Sequence, residues 1–131
     1  MGAQEIVAET GEGFATRWRA RGHEVVADEP GEAGGQDTGP SPVETMLGAL
    51  ASCTTITARM YADRKGFPMT SVRARVIEKP GEGGKRSFDL VVEVAGDALT
   101  DEQRTRIVTI AGRCPVHRML EEGVSIRTVA G

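Results

Sequence analysis

A stretch of fourteen residues without a charge, between Glu44 and Arg59, constrains this 131-residue chain more than any other feature. Just before it, residues 41–44 read Ser-Pro-Val-Glu, a capping box with proline at the first helical position. This pattern predicts a helix from Ser41 to about Lys65, some 36 Å long. A helix that lacks a charged or polar face is expected to be buried on every side.

The composition of the chain makes it hard to bury such a helix within one molecule. A domain of this size buries roughly two thirds of its unfolded surface, but its aromatic residues are few, namely Phe14, Trp18, Tyr61, Phe67 and Phe88. The core therefore consists mainly of aliphatic side chains and is thin. We expect a second copy of the chain to pack against the small residues of the helix, which are Gly48, Ala49, Ala51 and Ser52.

The charge balance excludes several classes of partner. Sixteen basic and nineteen acidic residues leave a net charge of −3, which does not provide the cationic surface that nucleic acid or an anionic membrane requires. No apolar run reaches the roughly 18 residues that cross a bilayer, and residues 1–9 lack the basic and apolar regions of a signal peptide. We therefore predict a cytoplasmic protein with a single domain, residues 1–131.

Hydrophobic periodicity and turn residues predict an α+β fold in the order βββ-α-ββ-α-α-β. The long central helix is followed by a second capping box at Thr100–Gln103, by a helix ending near Gly112, and by a short helix between Cys114-Pro115 and Gly123. The predicted strands are Gln4–Glu9, Phe14–Ala20, His23–Asp28, Ser71–Lys79, Ser87–Ala95 and Val124–Val129. An aperiodic loop, Glu29–Pro42, precedes the long helix, and loops of this length often carry function.

Arginines in the second predicted strand share one face of the sheet. Arg17 and Arg19 alternate with Thr16, Trp18 and Ala20, and a period of two places both guanidinium groups on the same side. That face is either solvated or functional.

Two cysteines carry the candidate chemistry. Cys114 is predicted at a helix N-terminus, where free N–H groups and the helix dipole lower the pKa of a thiol. Cys53 lies in the apolar helix, where burial raises the pKa unless a cation such as Arg17 or Arg19 is near. In a reducing compartment such a pair is reactive, metal-binding or inert, and Cys53 is equally interpretable as a small core residue.

His117 follows Cys114 by three residues, a spacing that would let both bind one metal ion with Cys53 as a third ligand. No fourth ligand is evident, and we predict no metal site. His117 is instead expected to be a partly exposed helix residue or to form a hydrogen bond that tunes Cys114.

Short motifs of this chain resemble those of the osmotically inducible protein C (OsmC) family and follow one another in the same order as in that family. The family includes the organic hydroperoxide resistance proteins. The motifs are Gly-Pro-Ser-Pro-Val-Glu at 39–44, Cys-Thr at 53–54 and Cys-Pro-Val-His at 114–117. The likeness runs from residues 26–30 to the last predicted strand. It implies an intertwined homodimer with its long helices back to back, and a thiol peroxidase without an organic cofactor. It also implies that Cys53 attacks the peroxide to become a sulfenic acid, and that Cys114 condenses with it to a disulfide.

The chain departs from the pattern of the family's peroxidases at Val43, and the family's catalytic arginine matches no single position here. Their carboxylate lies ten residues before the first cysteine, where this chain has Val43, whereas Glu44 lies nine before. Nine residues turn a helix through about 900°, which directs Glu44 away from Cys53, so we assign it to the capping box. The family's catalytic arginine corresponds to Arg17, Arg19 or Arg21, and we select Arg17.

The sequence thus predicts a homodimeric peroxidase that reduces organic hydroperoxides and is regenerated by an external dithiol. The alternative is a dimeric module of the same fold that binds an apolar small molecule between its subunits, with incidental cysteines. Val43 in place of a carboxylate favours this alternative.

Overall fold

The computed structural model describes residues 4–131; residues 1–3, which the predicted domain includes, lie outside this range. The chain divides into two compact units, residues 1–47 and 48–131, and the division falls inside the long helix α1, Pro42–Lys65. No helix of the described residues is long and apolar enough to cross a membrane.

The first unit contains a three-stranded antiparallel meander, in the order β1 (Val7–Thr10), β2 (Thr16–Ala20) and β3 (His23–Ala27). This confirms the predicted meander, with all three strands shorter than predicted. The β1–β2 turn is closed by the Thr10 hydroxyl, which donates to the carbonyl of Ala15 at 2.9 Å. The predicted alternation in β2 is also correct, because Arg17 and Arg19 are both exposed on one face of the sheet.

The loop after β3 is held by one buried carboxylate. Asp28 is only 2% exposed, and its side chain accepts hydrogen bonds from the N–H groups of Glu29, Gln36 and Thr38 and from the Thr38 hydroxyl. These bonds lower the pKa of Asp28, most strongly through the Thr38 hydroxyl. A Cβ on Gly35 would lie 2.0 Å from the Glu29 carbonyl oxygen, so this close approach requires glycine. The long loop is therefore an ordered connection to α1.

Helix α1 begins as the sequence predicts. The Ser41 hydroxyl accepts from the N–H of Glu44 at 3.1 Å, and the Glu44 carboxylate accepts from the N–H of Ser41 at 2.8 Å. Pro42 occupies the first helical position, where no N–H is needed. The reciprocal bonds satisfy two backbone donors that the helix itself leaves free.

Replacing Glu44 with alanine removes one of these bonds, and we expect Glu44→Ala to lower the free energy of unfolding by about 0.5 to 2 kcal/mol. Urea denaturation checks the value. Ser41→Ala is the matched variant, and the double variant should lose less than the sum of the two single losses because both act on one box. Strict additivity would contradict a reciprocal box.

The second unit consists of the rest of α1, a hairpin and two shorter helices. The elements after α1 are β4 (Ser71–Pro80), β5 (Arg86–Ala95), α2 (Asp101–Ala111) and α3 (Pro115–Glu122). Strands β4 and β5 pair antiparallel from Ser71–Ala95 to Pro80–Arg86. As predicted, Thr100 and Gln103 form a capping box at the start of α2, and Cys114 caps α3. The core of this unit consists of buried residues from these elements, namely Ala58, Tyr61, Ala62, Met69, Leu99, Ile107 and Ala111.

Within the single chain, α1 is not covered on every side, which agrees with the expectation that one molecule cannot bury this helix. Leu50, Thr54 and Ala58 are buried, but Ile56 and Met60 are 56% and 68% exposed. One chain has too little apolar surface to cover both sides of a helix of this length. Of the four small residues selected as a packing surface, Gly48, Ala49 and Ser52 are exposed and Ala51 is half-buried.

The predicted last strand, Val124–Val129, is wrong for the single chain. Residues 124–131 form no strand, and Val124, Ile126 and Val129 are all exposed. The sequence has the residue types of a strand, but a strand also needs a neighbouring strand to bind its N–H and C=O groups. The described chain pairs no strand with this segment.

Candidate active site

Both cysteines lie in the second unit, and the fold brings their side chains together. Cys53 is half-buried in the middle of α1, whereas Cys114 is fully buried at the start of α3. Both are free thiols, and the proximity of Cys114 raises the pKa of Cys53. Sixty-one positions of sequence separate the two, so only the packing of α3 against α1 creates this pair.

Cys114 is the N-cap of α3, as the sequence predicts. Its sulfur accepts a hydrogen bond from the backbone N–H of His117 at 3.4 Å. The hydroxyl of Thr54 lies 3.9 Å from the same sulfur. The cap position places a thiolate at the positive end of the helix dipole, where negative charge is stabilised.

Burial raises the pKa of the Cys53 thiol above its ordinary value, in the direction expected for an apolar helix. The hydrogen bond and the charge of Cys114 raise it further, while the backbone N–H of Val116 and the hydroxyl of Thr57 act in the opposite direction. The first turn of α3 therefore influences both sulfurs, since the backbone of Val116 lowers the pKa of Cys53 and the N–H of His117 donates to Cys114. Because each thiolate repels the other, the pair favours one negative charge at a time.

The candidate arginines lie in the first unit. Arg17 and Arg19 have side chains about 70% exposed, and both form ion pairs with Glu24, at 3.3 and 3.0 Å. The hydrogen bond from Arg19 is the largest effect that lowers the pKa of Glu24. The two arginines line a cleft of about 740 Å³ on this face of the sheet. Arg21 lies in the β2–β3 turn with a φ of 58°.

His117 is a partly exposed residue of α3, as predicted. Its Nε2 lies 2.6 Å from the carboxylate of Glu121, one helical turn later, and its Nδ1 is buried without a partner among the described residues. Its backbone, rather than its ring, is the group that bonds to Cys114. Within residues 4–131, no group of three or more His, Cys, Asp or Glu side chains is arranged to hold a metal ion.

Sequence reasoning missed the partners of the two sulfurs. Thr57 lies four residues after Cys53, so helical spacing could have identified it as a neighbour on the same face. Val116 and Thr54 had no such signal, because their contacts depend on how α3 packs against α1. Within the second unit, Thr54 contacts Cys114, and Thr57 and Val116 lower the pKa of Cys53.

Comparison with known proteins assigns the family. The model of the OsmC-like protein family matches residues 34–129, most of the chain and both cysteines. None of the curated proteins matches this chain.

Solved structures share the fold. An OsmC-like protein of Mycoplasma pneumoniae superposes with a TM-score of 0.76 at 18% identity, over 92% of this chain and 88% of that one. The organic hydroperoxide resistance protein OsmC of Legionella pneumophila gives 0.65 at 15% identity, over 92% and 90%. The organic hydroperoxide resistance protein OhrB of Bacillus subtilis gives 0.59 at 18% identity, over 89% of each chain. With the family match across both cysteine motifs and this shared α+β fold, the chain belongs to the OsmC-like protein family.

Proposed function

We propose that this protein is a thiol-dependent peroxidase that reduces organic hydroperoxides. The observation that carries the proposal is the proximity of two free thiols of unequal exposure, Cys53 half-buried and Cys114 fully buried, with Cys114 raising the pKa of Cys53. In such a pair, the more exposed thiol can react with the peroxide, and the buried thiol lies beside it to form the disulfide. The names of the Legionella and Bacillus structural neighbours support the same substrate class.

The first step oxidises Cys53. Its thiolate attacks one peroxide oxygen, the O–O bond breaks, and the alkoxide leaves and takes up a proton to become an alcohol. Cys53 becomes a sulfenic acid. The backbone of Val116 and the side chain of Thr57 lower the pKa of Cys53, so both favour the thiolate that starts the step.

The second step forms the disulfide. The Cys114 thiolate attacks the Cys53 sulfur, the S–O bond breaks, and hydroxide leaves and is protonated to water. The products are one alcohol, one water and a Cys53–Cys114 disulfide. An external dithiol then reduces this disulfide by thiol–disulfide exchange. No organic cofactor takes part.

Activation of Cys53 requires more than the second unit supplies. Burial and Cys114 together keep the pKa of Cys53 raised, whereas peroxide chemistry needs the thiolate. We assign the missing cation to an arginine of the first unit, with Arg17 as the first choice over Arg19 and Arg21. Arg17 is mostly exposed and, among residues 4–131, pairs only with a carboxylate that Arg19 also binds, so it is available to a second anion.

Mass spectrometry of the intact protein tests the proposal. After one equivalent of cumene hydroperoxide, the wild-type protein should lose two mass units, the two hydrogens removed when the disulfide forms. A dithiol such as dihydrolipoamide should restore the original mass. A protein that remains a free dithiol under excess hydroperoxide would overturn the peroxidase proposal.

The alternative function is a binding module of the same fold for an apolar small molecule. Two observations favour it: Val43 stands where the family's peroxidases carry a carboxylate, and the pKa of Cys53 is raised rather than lowered. A binding module would keep both thiols reduced in the experiment above.

We also assign the protein to the cytoplasm as a homodimer. Two neighbouring free thiols are typical of a reducing compartment. The exposed side of α1 has the composition of a protein interior, with Ile56 and Met60 beside the small residues Gly48, Ala49 and Ser52. Such a surface is unusual on a stable monomer.

For the assembly, we expect an obligate dimer that buries well over about 2,000 Å² in total, within the range of permanent interfaces. Light scattering coupled to size-exclusion chromatography should give twice the mass of 13.9 kDa at micromolar concentration. Ile56→Asp should dissociate it, while Thr70→Asp, at an exposed position outside the helix, should not. A folded monomer of the wild-type chain would refute the dimer.

A further inference from the structure

The hydroxyl of Thr54 is a buried polar group beside the inner thiol. Thr54, Cys114 and Ile107 are the largest fully buried side chains of the chain. The Thr54 hydroxyl donates to the carbonyl of Leu50 at 2.8 Å, and its oxygen lies 3.9 Å from the sulfur of Cys114. Because Thr54 directly follows Cys53, a single turn of α1 carries both the Cys53 thiol and the hydroxyl that contacts Cys114.

The bond to a carbonyl four residues earlier does not by itself distinguish Thr54. Thr45 and Thr109 make the same bond at 2.9 and 3.0 Å, to Ser41 and Thr105. What distinguishes Thr54 is complete burial against a sulfur. Buried polar atoms normally have a hydrogen-bond partner. Besides its bond to Leu50, the Thr54 hydroxyl can form a second hydrogen bond, and it faces Cys114.

The direction of the Thr54–Cys114 bond depends on the charge of the thiol. While the hydroxyl proton goes to Leu50, the neutral thiol of Cys114 must donate to the threonine oxygen. When Cys114 is a thiolate, the hydroxyl can turn from the Leu50 carbonyl and donate to the sulfur. The thiolate would then receive two donors, the Thr54 hydroxyl and the N–H of His117.

We propose that Thr54 is a positioning residue for the resolving step: its hydroxyl holds the Cys114 sulfur against Cys53 and stabilises the thiolate that attacks. The proposal rests on the proposed function, because it needs Cys114 to act as the resolving thiol. The bonds that change are those of the second step above. A bond forms between the sulfurs of Cys114 and Cys53, and the bond between the Cys53 sulfur and its leaving group breaks. Thr54 gains or loses no atoms in this step.

The aryl disulfide dithiobis(nitrobenzoate) allows the rate of this step to be measured without a peroxide. Cys53, the more exposed thiol, attacks it first and releases one coloured thionitrobenzoate. Cys114, buried and out of reach of the reagent, then displaces the second thionitrobenzoate from Cys53 and forms the disulfide. Stopped-flow absorbance therefore reports the two thiols as two separate phases.

We expect Thr54→Val to slow the second phase by about tenfold, the effect of losing one hydrogen bond to a charged group, and to leave the first phase unchanged. Thr54→Ser keeps the hydroxyl and should stay within about twofold of the wild-type rate. Thr55→Val is the matched control, since its hydroxyl bonds to the Ser52 carbonyl, and both phases should be unchanged. If Thr54→Val does not fold, Thr54→Ala compared with Thr54→Ser makes the same distinction.

Two results would overturn the role of Thr54. One is a second phase in Thr54→Val as fast as in wild type. The other is a Thr54→Ser variant as slow as Thr54→Val, which would mean that shape rather than the hydroxyl decides the rate. If wild type shows both phases but does not react with cumene hydroperoxide, the peroxidase proposal fails and the role of Thr54 in disulfide formation survives. A wild-type protein without a second phase would refute both.

Discussion

Replacing Cys53 with serine should abolish reduction of cumene hydroperoxide, lowering the rate by about a thousandfold or more. A hydroxyl at neutral pH is a far weaker nucleophile than a thiolate, and loss of a nucleophile removes the covalent step altogether. Serine is close to cysteine in size, so the half-buried position in α1 should still pack. The measurement is consumption of hydroperoxide in the presence of dihydrolipoamide.

The control for this variant must separate chemistry from folding. Thermal unfolding and light scattering should show Cys53→Ser to be as stable and as associated as wild type. Ser52→Ala, the preceding position on the same helix, should keep nearly full activity, because no role is assigned to that hydroxyl in the reaction. Residual turnover in Cys53→Ser would mean that another group, with Cys114 as the first candidate, reacts with peroxide.

Replacing Cys114 with serine should separate the two steps. The first turnover should proceed, because Cys53 and the Val116 and Thr57 groups that lower its pKa are still present. Steady-state turnover should then fall by about a hundredfold or more as Cys53 remains a sulfenic acid or oxidises further. Mass spectrometry after one equivalent of hydroperoxide should show a gain of one oxygen in this variant, in place of the two hydrogens that wild type loses.

The opposite outcome is equally informative. If Cys114→Ser turns over at the wild-type rate, the external thiol reduces the sulfenic acid directly and the disulfide is not part of the cycle. Because Cys114 also caps α3, its serine variant retains an N-cap oxygen. Loss of activity in this variant is therefore not a consequence of a missing cap.

Local rules explain why much of this fold could be predicted. Capping boxes at Ser41–Glu44 and Thr100–Gln103 involve groups three residues apart, so the sequence alone places the starts of α1 and α2. The alternation of Arg17 and Arg19 with half-buried neighbours follows from the period of a strand in the same way. The family resemblance selected Cys53 and Cys114 from motifs that are each only a few residues long.

The exposed side of α1 and the missing last strand have one physical cause. Covering α1 on every side and forming a strand at 124–129 both require surface that the single chain does not provide. An apolar helix face is buried only when something covers it, and an extended segment becomes a strand only beside another strand. Sequence pattern therefore indicated which surfaces need a partner, while the folded chain leaves Ile56 and Ile126 exposed.

Sequence by itself determined the family, the two thiols, the helix starts and the face on which the arginines lie, because each depends on residues close together in the chain. Tertiary structure alone decided what surrounds the sulfurs. Thr54 contacts Cys114 across sixty residues, and the first turn of α3 acts on both thiols, since Val116 lowers the pKa of Cys53 and the N–H of His117 donates to Cys114. Such contacts depend on the packing of one helix on another, which no local spacing encodes.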